Sequence, residues 1–99
     1  MIEIRRLASE LAEAQLSGGN VRVADICCDS RRATPGSLFV AVPGFNADGH
    51  DYIGDALARG AVALAVQASR RDRWEAVVGE RGVPTIVVPD TRRALAALA

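Results

Sequence analysis

Three short apolar runs, separated by segments with helical spacing, constrain the fold of this chain most. The runs lie at residues 38–42, 61–66 and 84–88. Each lacks the polar alternation of a half-exposed strand, which is typical of strands in a parallel sheet that helices cover on both faces. A fourth strand is expected at 21–28. Apolar residues recur at helical spacing in four segments, at residues 3–15, from 48 or 49 to about 59, 70–80 and 91–99.

The resulting order, α-β-β-α-β-α-β-α, places helices between successive strands. Such alternation predicts a three-layer α/β/α sandwich around a mostly parallel or mixed sheet of about four to five strands. We expect residues 17–20 to form a turn, Gly60 and Gly82 to end helices, and Asp90 to cap the last one. Residues 1–99 suit one domain, and the final helix has no C-terminal cap, so we expect the chain to be part of a longer protein.

Composition argues against several functions. The twelve basic residues, all Arg, are balanced by twelve acidic ones, and a nucleic-acid-binding domain usually carries a basic excess. Cys27 and Cys28 are neighbours on a predicted strand and point to opposite faces, so we expect two free thiols in a reducing compartment. With His50 as the one histidine, a zinc cluster lacks ligands, and we predict no metal site.

No apolar run approaches the roughly 20 residues of a membrane span, and the N-terminus does not read as a signal peptide. We therefore expect a cytoplasmic protein without a membrane segment.

Two polar loops flank the strand at 38–42 and are the expected ligand site, because loops at strand ends often bind ligands. Ser30 in the first loop either caps a turn or contacts a ligand. One of Arg31 and Arg32 pairs with a phosphate, or the two lie in solvent or pair with a nearby carboxylate. In the second loop, Phe45 either stacks on a base or folds onto the core, and Asn46 has the donor and acceptor needed to read a pyrimidine edge.

His50, at a helix start, has three interpretations: a cap, a partner of Asp48, or a ligand contact. A structural role is favoured. A triad of Ser30, His50 and either Asp29 or Asp51 is disfavoured because no Gly-x-Ser-x-Gly turn surrounds the serine. The chain contains no Lys and no dinucleotide or phosphate-loop pattern, so ATP hydrolysis by a phosphate loop is excluded for this segment.

The run Asp29-Ser-Arg-Arg-Ala-Thr-Pro-Gly-Ser-Leu-Phe-Val-Ala, with Asp48-Gly-His-Asp-Tyr-Ile and Val88-Pro-Asp-Thr-Arg-Arg-Ala-Leu, resembles the N-terminal domain of the Mur ligases. These are the ATP-dependent amino-acid ligases of peptidoglycan synthesis. The resemblance covers residues from about 21 to 99. The last run looks most like the MurE type, which extends UDP-N-acetylmuramoyl-L-alanyl-D-glutamate by a third stem-peptide residue. The MurF type, which adds D-Ala-D-Ala, is the runner-up.

The resemblance implies that this domain holds the UDP end of UDP-N-acetylmuramoyl-dipeptide. The implied contacts are Ser30, Cys28, Phe45, Asn46 and Ala47. It implies that Asp29, Arg31 and Gly49 are scaffold. ATP and Mg²⁺ belong to the other domains of the ligase, so the resemblance implies no cofactor here, and binding without catalysis. The alternative is a free-standing interaction or regulatory domain that does not bind UDP-sugars.

Overall fold

In the computed structural model, which describes residues 1–98, a mixed sheet of five strands forms the centre of the fold. The strands of the chain are β1 (Ile2–Glu3), β2 (Gln15–Ser17), β3 (Arg22–Val23), β4 (Asp25–Cys27), β5 (Ser37–Val40), β6 (Ala63–Gln67) and β7 (Thr85–Val88). The five-stranded sheet has the order β2-β7-β6-β5-β4, while β1 and β3 form a separate antiparallel pair. Strands β4 to β7 are parallel, and β2 runs antiparallel to β7.

Helices cover both faces of this sheet. They are α1 (Ile4–Ser9), α2 (Ile53–Ala58), α3 (Arg71–Arg81) and α4 (Thr91–Leu98), with 3₁₀ turns at Ser30–Arg32, Gly49–Tyr52 and Ala68–Arg70. Alternating side chains of β5 divide the core: Phe39 packs with α2 and α3, whereas Leu38 and Val40 pack with α1 and α4. The predicted α/β/α sandwich with a mixed sheet is therefore confirmed.

The predicted first helix, at 3–15, was too long. Helix α1 ends at Ser9, and Gln15–Ser17 form the edge strand β2, with Leu16 opposite Ile86. All three residues of β2 are exposed, so the strand carries no apolar alternation and depends on pairing with β7. Tertiary pairing overrides the local helical pattern here, and the strand includes Ser17, where a turn was expected.

The predicted strand at 21–28 is divided between two sheets. Strands β3 and β4 are separated at Ala24, whose N–H donates to the Gly36 carbonyl at 2.8 Å. The helix expected from residue 48 or 49 begins as a 3₁₀ turn and becomes α-helical at Ile53. The other strands and helices lie within about two residues of their predicted positions, which is the usual uncertainty of element ends.

The predicted helix ends are confirmed. Gly60 and Gly82 follow α2 and α3 with φ of 108° and 63°, conformations that favour glycine. The Asp90 carboxylate accepts the N–H groups of Arg92 and Arg93 at 2.9 and 3.2 Å, so it caps α4. Ala99, the last residue of the predicted helix, lies outside the described residues. No helix within residues 1–98 has both the length and the apolar character needed to cross a bilayer.

Candidate functional site

A cleft of about 490 Å³ lies at the carboxyl ends of β4 and β5. In open α/β sheets this edge is where ligands bind. The turn after β4, the strand β5 with its following loop, and the start of α2 each contribute side chains. The lining residues are Cys28, Asp29, Ser30, Arg31, Phe39, Val42, Ala47, Gly49, Tyr52 and Asp55.

Ser30 lies in the 3₁₀ turn after β4, which Asp29 stabilises. The Asp29 carboxylate accepts the Arg31 backbone N–H at 3.0 Å and its guanidinium at 2.9 and 3.1 Å. The pKa of Asp29 is lowered to about 2, first because its carboxylate accepts from the Arg31 side chain and second because it accepts the Arg31 backbone N–H. Asp29 and Arg31 thus form a solvent-exposed ion pair beside Ser30.

The Ser30 hydroxyl is free to bind a ligand. Ser30 is 7% exposed, and its side chain makes no hydrogen bond within residues 1–98. Among these residues no fully buried side-chain oxygen or nitrogen lacks a partner, so the Ser30 oxygen keeps some accessible surface. A nearly buried hydroxyl with unused hydrogen-bonding capacity at the wall of a cleft is suited to a polar ligand.

The loop after β5 is closed at its base. Pro43 and Asp48 form an antiparallel bridge, and the Gly44 N–H donates to the Ala47 carbonyl at 2.7 Å. Phe45 and Asn46 therefore occupy the tip of a tight turn, where Phe45 is fully exposed and does not fold onto the core. Of the predicted contacts, Ser30, Cys28 and Ala47 line one cleft, while Phe45 and Asn46 lie at the exposed tip beside it.

His50 connects this loop to the neighbouring strand. Its side chain is fully buried; Nδ1 lies 2.6 Å from Asp48 Oδ1, and Nε2 accepts the Gln67 backbone N–H at 2.9 Å. Since Nε2 needs its lone pair for Gln67, the ring proton lies on Nδ1 and is donated to Asp48. Both ring nitrogens are engaged, so His50 does not serve Ser30 as a base, and the disfavoured triad is ruled out.

Four nitrogen atoms lie near the Asp48 carboxylate: the backbone nitrogen and Nδ1 of His50, and the Nε atoms of Arg70 and Arg73. Burial raises its pKa, but the backbone N–H and ring of His50, together with Arg70, outweigh burial and hold the pKa of Asp48 below its usual range. Arg70 Nε lies 2.8 Å from Asp48 Oδ2, and Arg73 Nε lies 3.7 Å from the same oxygen. The loop base is thereby tied to the start of α3.

Sequence reasoning missed several residues of this site. Tyr52 and Asp55 line the cleft from the start of α2, and the half-exposed Tyr52 ring is the detectable signal, since an aromatic stands in a polar segment. Gln67 and Arg70 lie 17 and 22 residues from their partners, so no local pattern connects them. No group of three or more potential metal ligands occurs in the described part of the chain.

Comparisons with known proteins agree with this fold. The model of the Mur ligase family, catalytic domain, matches residues 22–99. The UDP-N-acetylmuramoyl-L-alanyl-D-glutamate–2,6-diaminopimelate ligase of Geobacillus thermodenitrificans is 46% identical over 86 residues, covering 83% of this chain and 15% of the relative. The ligase of the same name from Agrobacterium fabrum is 48% identical, covering 84% and 15%.

Two further relatives extend the comparison. The UDP-N-acetylmuramyl-tripeptide synthetase of a Roseiflexus species is 40% identical, over 99% of this chain and 18% of the length of that synthetase. A crystal structure of MurF from Acinetobacter baumannii superposes with a TM-score of 0.71 at 24% identity, covering 95% of this chain and 19% of that one. That likeness supports the fold alone.

The chain spans about a sixth of the length of the curated relatives it matches. Identity of 40 to 48% over most of the chain, together with the family-model match, confirms the resemblance found in the sequence. This chain belongs to the Mur ligase family.

Proposed function

We propose that this chain is the N-terminal substrate-binding domain of a MurE-type ligase. It holds the UDP portion of UDP-N-acetylmuramoyl-L-alanyl-D-glutamate, to which the full enzyme adds the third stem-peptide amino acid. Its place in the cell is then the cytoplasm, and its roles are in cell-wall synthesis, cell shape and division.

The observation that carries this proposal is the Ser30 hydroxyl in the cleft at the ends of β4 and β5. It has no hydrogen-bond partner within residues 1–98, and Arg31 and Cys28 also line the cleft. A phosphate or sugar oxygen supplies the missing partner of such a hydroxyl, and Ala47 and Gly49 line the same cleft.

Phe45, Asn46 and Ala47 form the second half of the proposed site. Phe45 is free to lie on the uracil, because its ring has no contacts to lose in the core. Asn46 presents an amide that matches the donor and acceptor edge of a pyrimidine. Both side chains lie at a turn whose base is closed by the Gly44 to Ala47 hydrogen bond in the absence of a ligand.

The MurE type is favoured over the MurF type by the relatives. Those named for adding 2,6-diaminopimelate reach 46 and 48% identity, whereas the superposed MurF structure shares 24% and supports the fold alone. ATP and Mg²⁺ are assigned to other domains, since a phosphate loop needs a lysine and this chain contains none. The domain therefore binds substrate and does not catalyse the ligation.

The test is a titration of the 99-residue chain, followed by NMR shift mapping, with UDP-N-acetylmuramoyl-dipeptide and with UDP. We expect shifts concentrated in residues 28–31 and 44–50. The Ser30→Ala variant loses one hydrogen bond and should bind about fivefold more weakly. Ser9→Ala, on α1 at the other face of the sheet, is the matched control. An absence of shifts at millimolar ligand refutes the proposal and favours a free-standing interaction domain.

A further inference from the structure

We infer that His50 and Arg70 are positioning residues that hold the loop at residues 43–48 in its ligand-ready form, with His50 locked as the Nδ1–H tautomer. This inference deepens the proposed function and rests on it for the identity of the ligand. Neither side chain lines the cleft, so neither is expected to touch substrate.

The first step concerns the base of the loop. Asp48 ends the loop and presents both carboxylate oxygens inward: Oδ1 accepts the ring and backbone N–H of His50, and Oδ2 accepts Arg70 Nε. Because Asp48 also pairs with Pro43, fixing its carboxylate fixes both ends of the turn that carries Phe45 and Asn46.

The second step concerns what His50 is attached to. Its Nε2 accepts from Gln67, the last residue of β6, whose carbonyl in turn accepts the Trp74 indole N–H at 2.9 Å. The Gln67 side-chain oxygen accepts the Thr91 N–H at 3.1 Å. The loop is thus anchored to a residue that β6, α3 and α4 hold in common, and not to another loop.

The third step is energetic. A loop that is ordered only part of the time has an apparent dissociation constant raised by the inverse of the ordered fraction. The two-residue tip has no packing contacts at Phe45 to keep it in place, so its order depends on its base. Weakening the anchor should therefore lower affinity without removing any atom that contacts the ligand.

The tautomer is tested directly on the unliganded chain by NMR of ¹⁵N-labelled protein. We expect imidazole ¹⁵N shifts of an Nδ1-protonated ring and a scalar coupling between the Gln67 amide nitrogen and His50 Nε2 across their hydrogen bond. A ring protonated on Nε2, or no such coupling, overturns the tautomer assignment whether or not the chain binds UDP.

The anchor is tested with Arg70→Gln, which removes the hydrogen bond to Asp48 from a side chain that is 40% exposed and leaves the core intact. Arg81→Gln, at the exposed far end of α3, makes the same change of charge as a control. We expect the loop to be ordered in about a third of the Arg70→Gln molecules, which weakens binding about threefold. Arg81→Gln should bind like the wild type.

His50→Asn and His50→Gln distinguish the two hydrogen bonds that the imidazole ring makes. Asn keeps a donor near the Nδ1 position for Asp48, and Gln keeps an acceptor near the Nε2 position for Gln67. We expect each to raise the ¹⁵N mobility of residues 44–47, measured without ligand. Unchanged loop order and unchanged affinity in Arg70→Gln refute the positioning role and leave the proposed function in place. A wild-type chain that does not bind UDP refutes the proposed function. In that case the ¹⁵N mobility of the loop still tests the anchor.

Discussion

Gly49 is a position where adding a single methyl group should destabilise the fold through contacts with main-chain atoms alone. A Cβ at Gly49 would lie 2.7 Å from the Val42 nitrogen, 3.0 Å from its carbonyl oxygen and 3.3 Å from the Ala41 carbonyl carbon. All three are main-chain atoms at the end of β5, so no side-chain rotation relieves the contact. The Gly49 N–H also donates to the Val42 carbonyl at 2.9 Å, and this bond must lengthen to admit a methyl group.

The cost follows from these contacts. Overpacking typically costs about 1–3 kcal/mol, and a weakened hydrogen bond adds up to about 1 kcal/mol. Replacing Gly by Ala also restricts the unfolded chain, which returns about 0.4–1 kcal/mol. The net loss for Gly49→Ala is therefore about 2 kcal/mol. With a urea slope of about 1.5 kcal/mol per molar, the unfolding midpoint should fall by about 1.3 M.

The assay is urea unfolding followed by the fluorescence of Trp74, which is buried and is the one tryptophan of the chain. Gly54→Ala is the matched control, because a Cβ at Gly54, within α2, meets nothing within 4 Å. That change should stabilise the protein by about 0.5–1 kcal/mol, through helix propensity. A Gly49→Ala midpoint equal to or above that of the wild type would refute the steric reasoning.

Two further predictions concern the residues around Gln67. Because the folded pKa of Asp48 lies below its unfolded value, its stabilising contribution is complete above about pH 4 and is lost as the pH falls through the folded pKa. Urea midpoints at about pH 6 and about pH 3 should therefore differ less in Asp48→Asn than in the wild type, and an equal difference contradicts this. Trp74→Phe removes the indole donor to the Gln67 carbonyl and should cost about 1–2 kcal/mol by calorimetry; a change below about 0.5 kcal/mol would show that this bond contributes little.

The central sheet could be predicted because its residues carry the pattern themselves. Strands β5, β6 and β7 are buried on both faces, so each reads as an apolar run whatever its neighbours are. Strand β2 has no apolar run of its own, because its three residues are exposed and are placed by pairing with β7. Its position depends on residues some seventy places away, which no local window contains.

The candidate site divides in the same way. Ser30 stands out locally as a serine after a strand, and Ala47 falls within a loop bounded by glycines; both line the cleft. The pairing of His50 with Asp48 was among the alternatives that the sequence offered, because the two residues are only two positions apart. The attachments to Gln67 and Arg70 depend on how α3 and β6 come together, and sequence spacing holds no information on that.

Under the proposed function, the two-residue tip formed by Phe45 and Asn46 contacts the ligand without contributing to the packing of the fold. Its flanks are fixed by the bridge between Pro43 and Asp48, yet the Phe45 side chain adds nothing to either core. Mutations at the tip are consequently close to neutral for folding, so selection can exchange these side chains freely as ligand contacts change. Under the proposed function, a scaffold of this kind can acquire a new nucleotide preference through single substitutions, without any compensating change in the sheet.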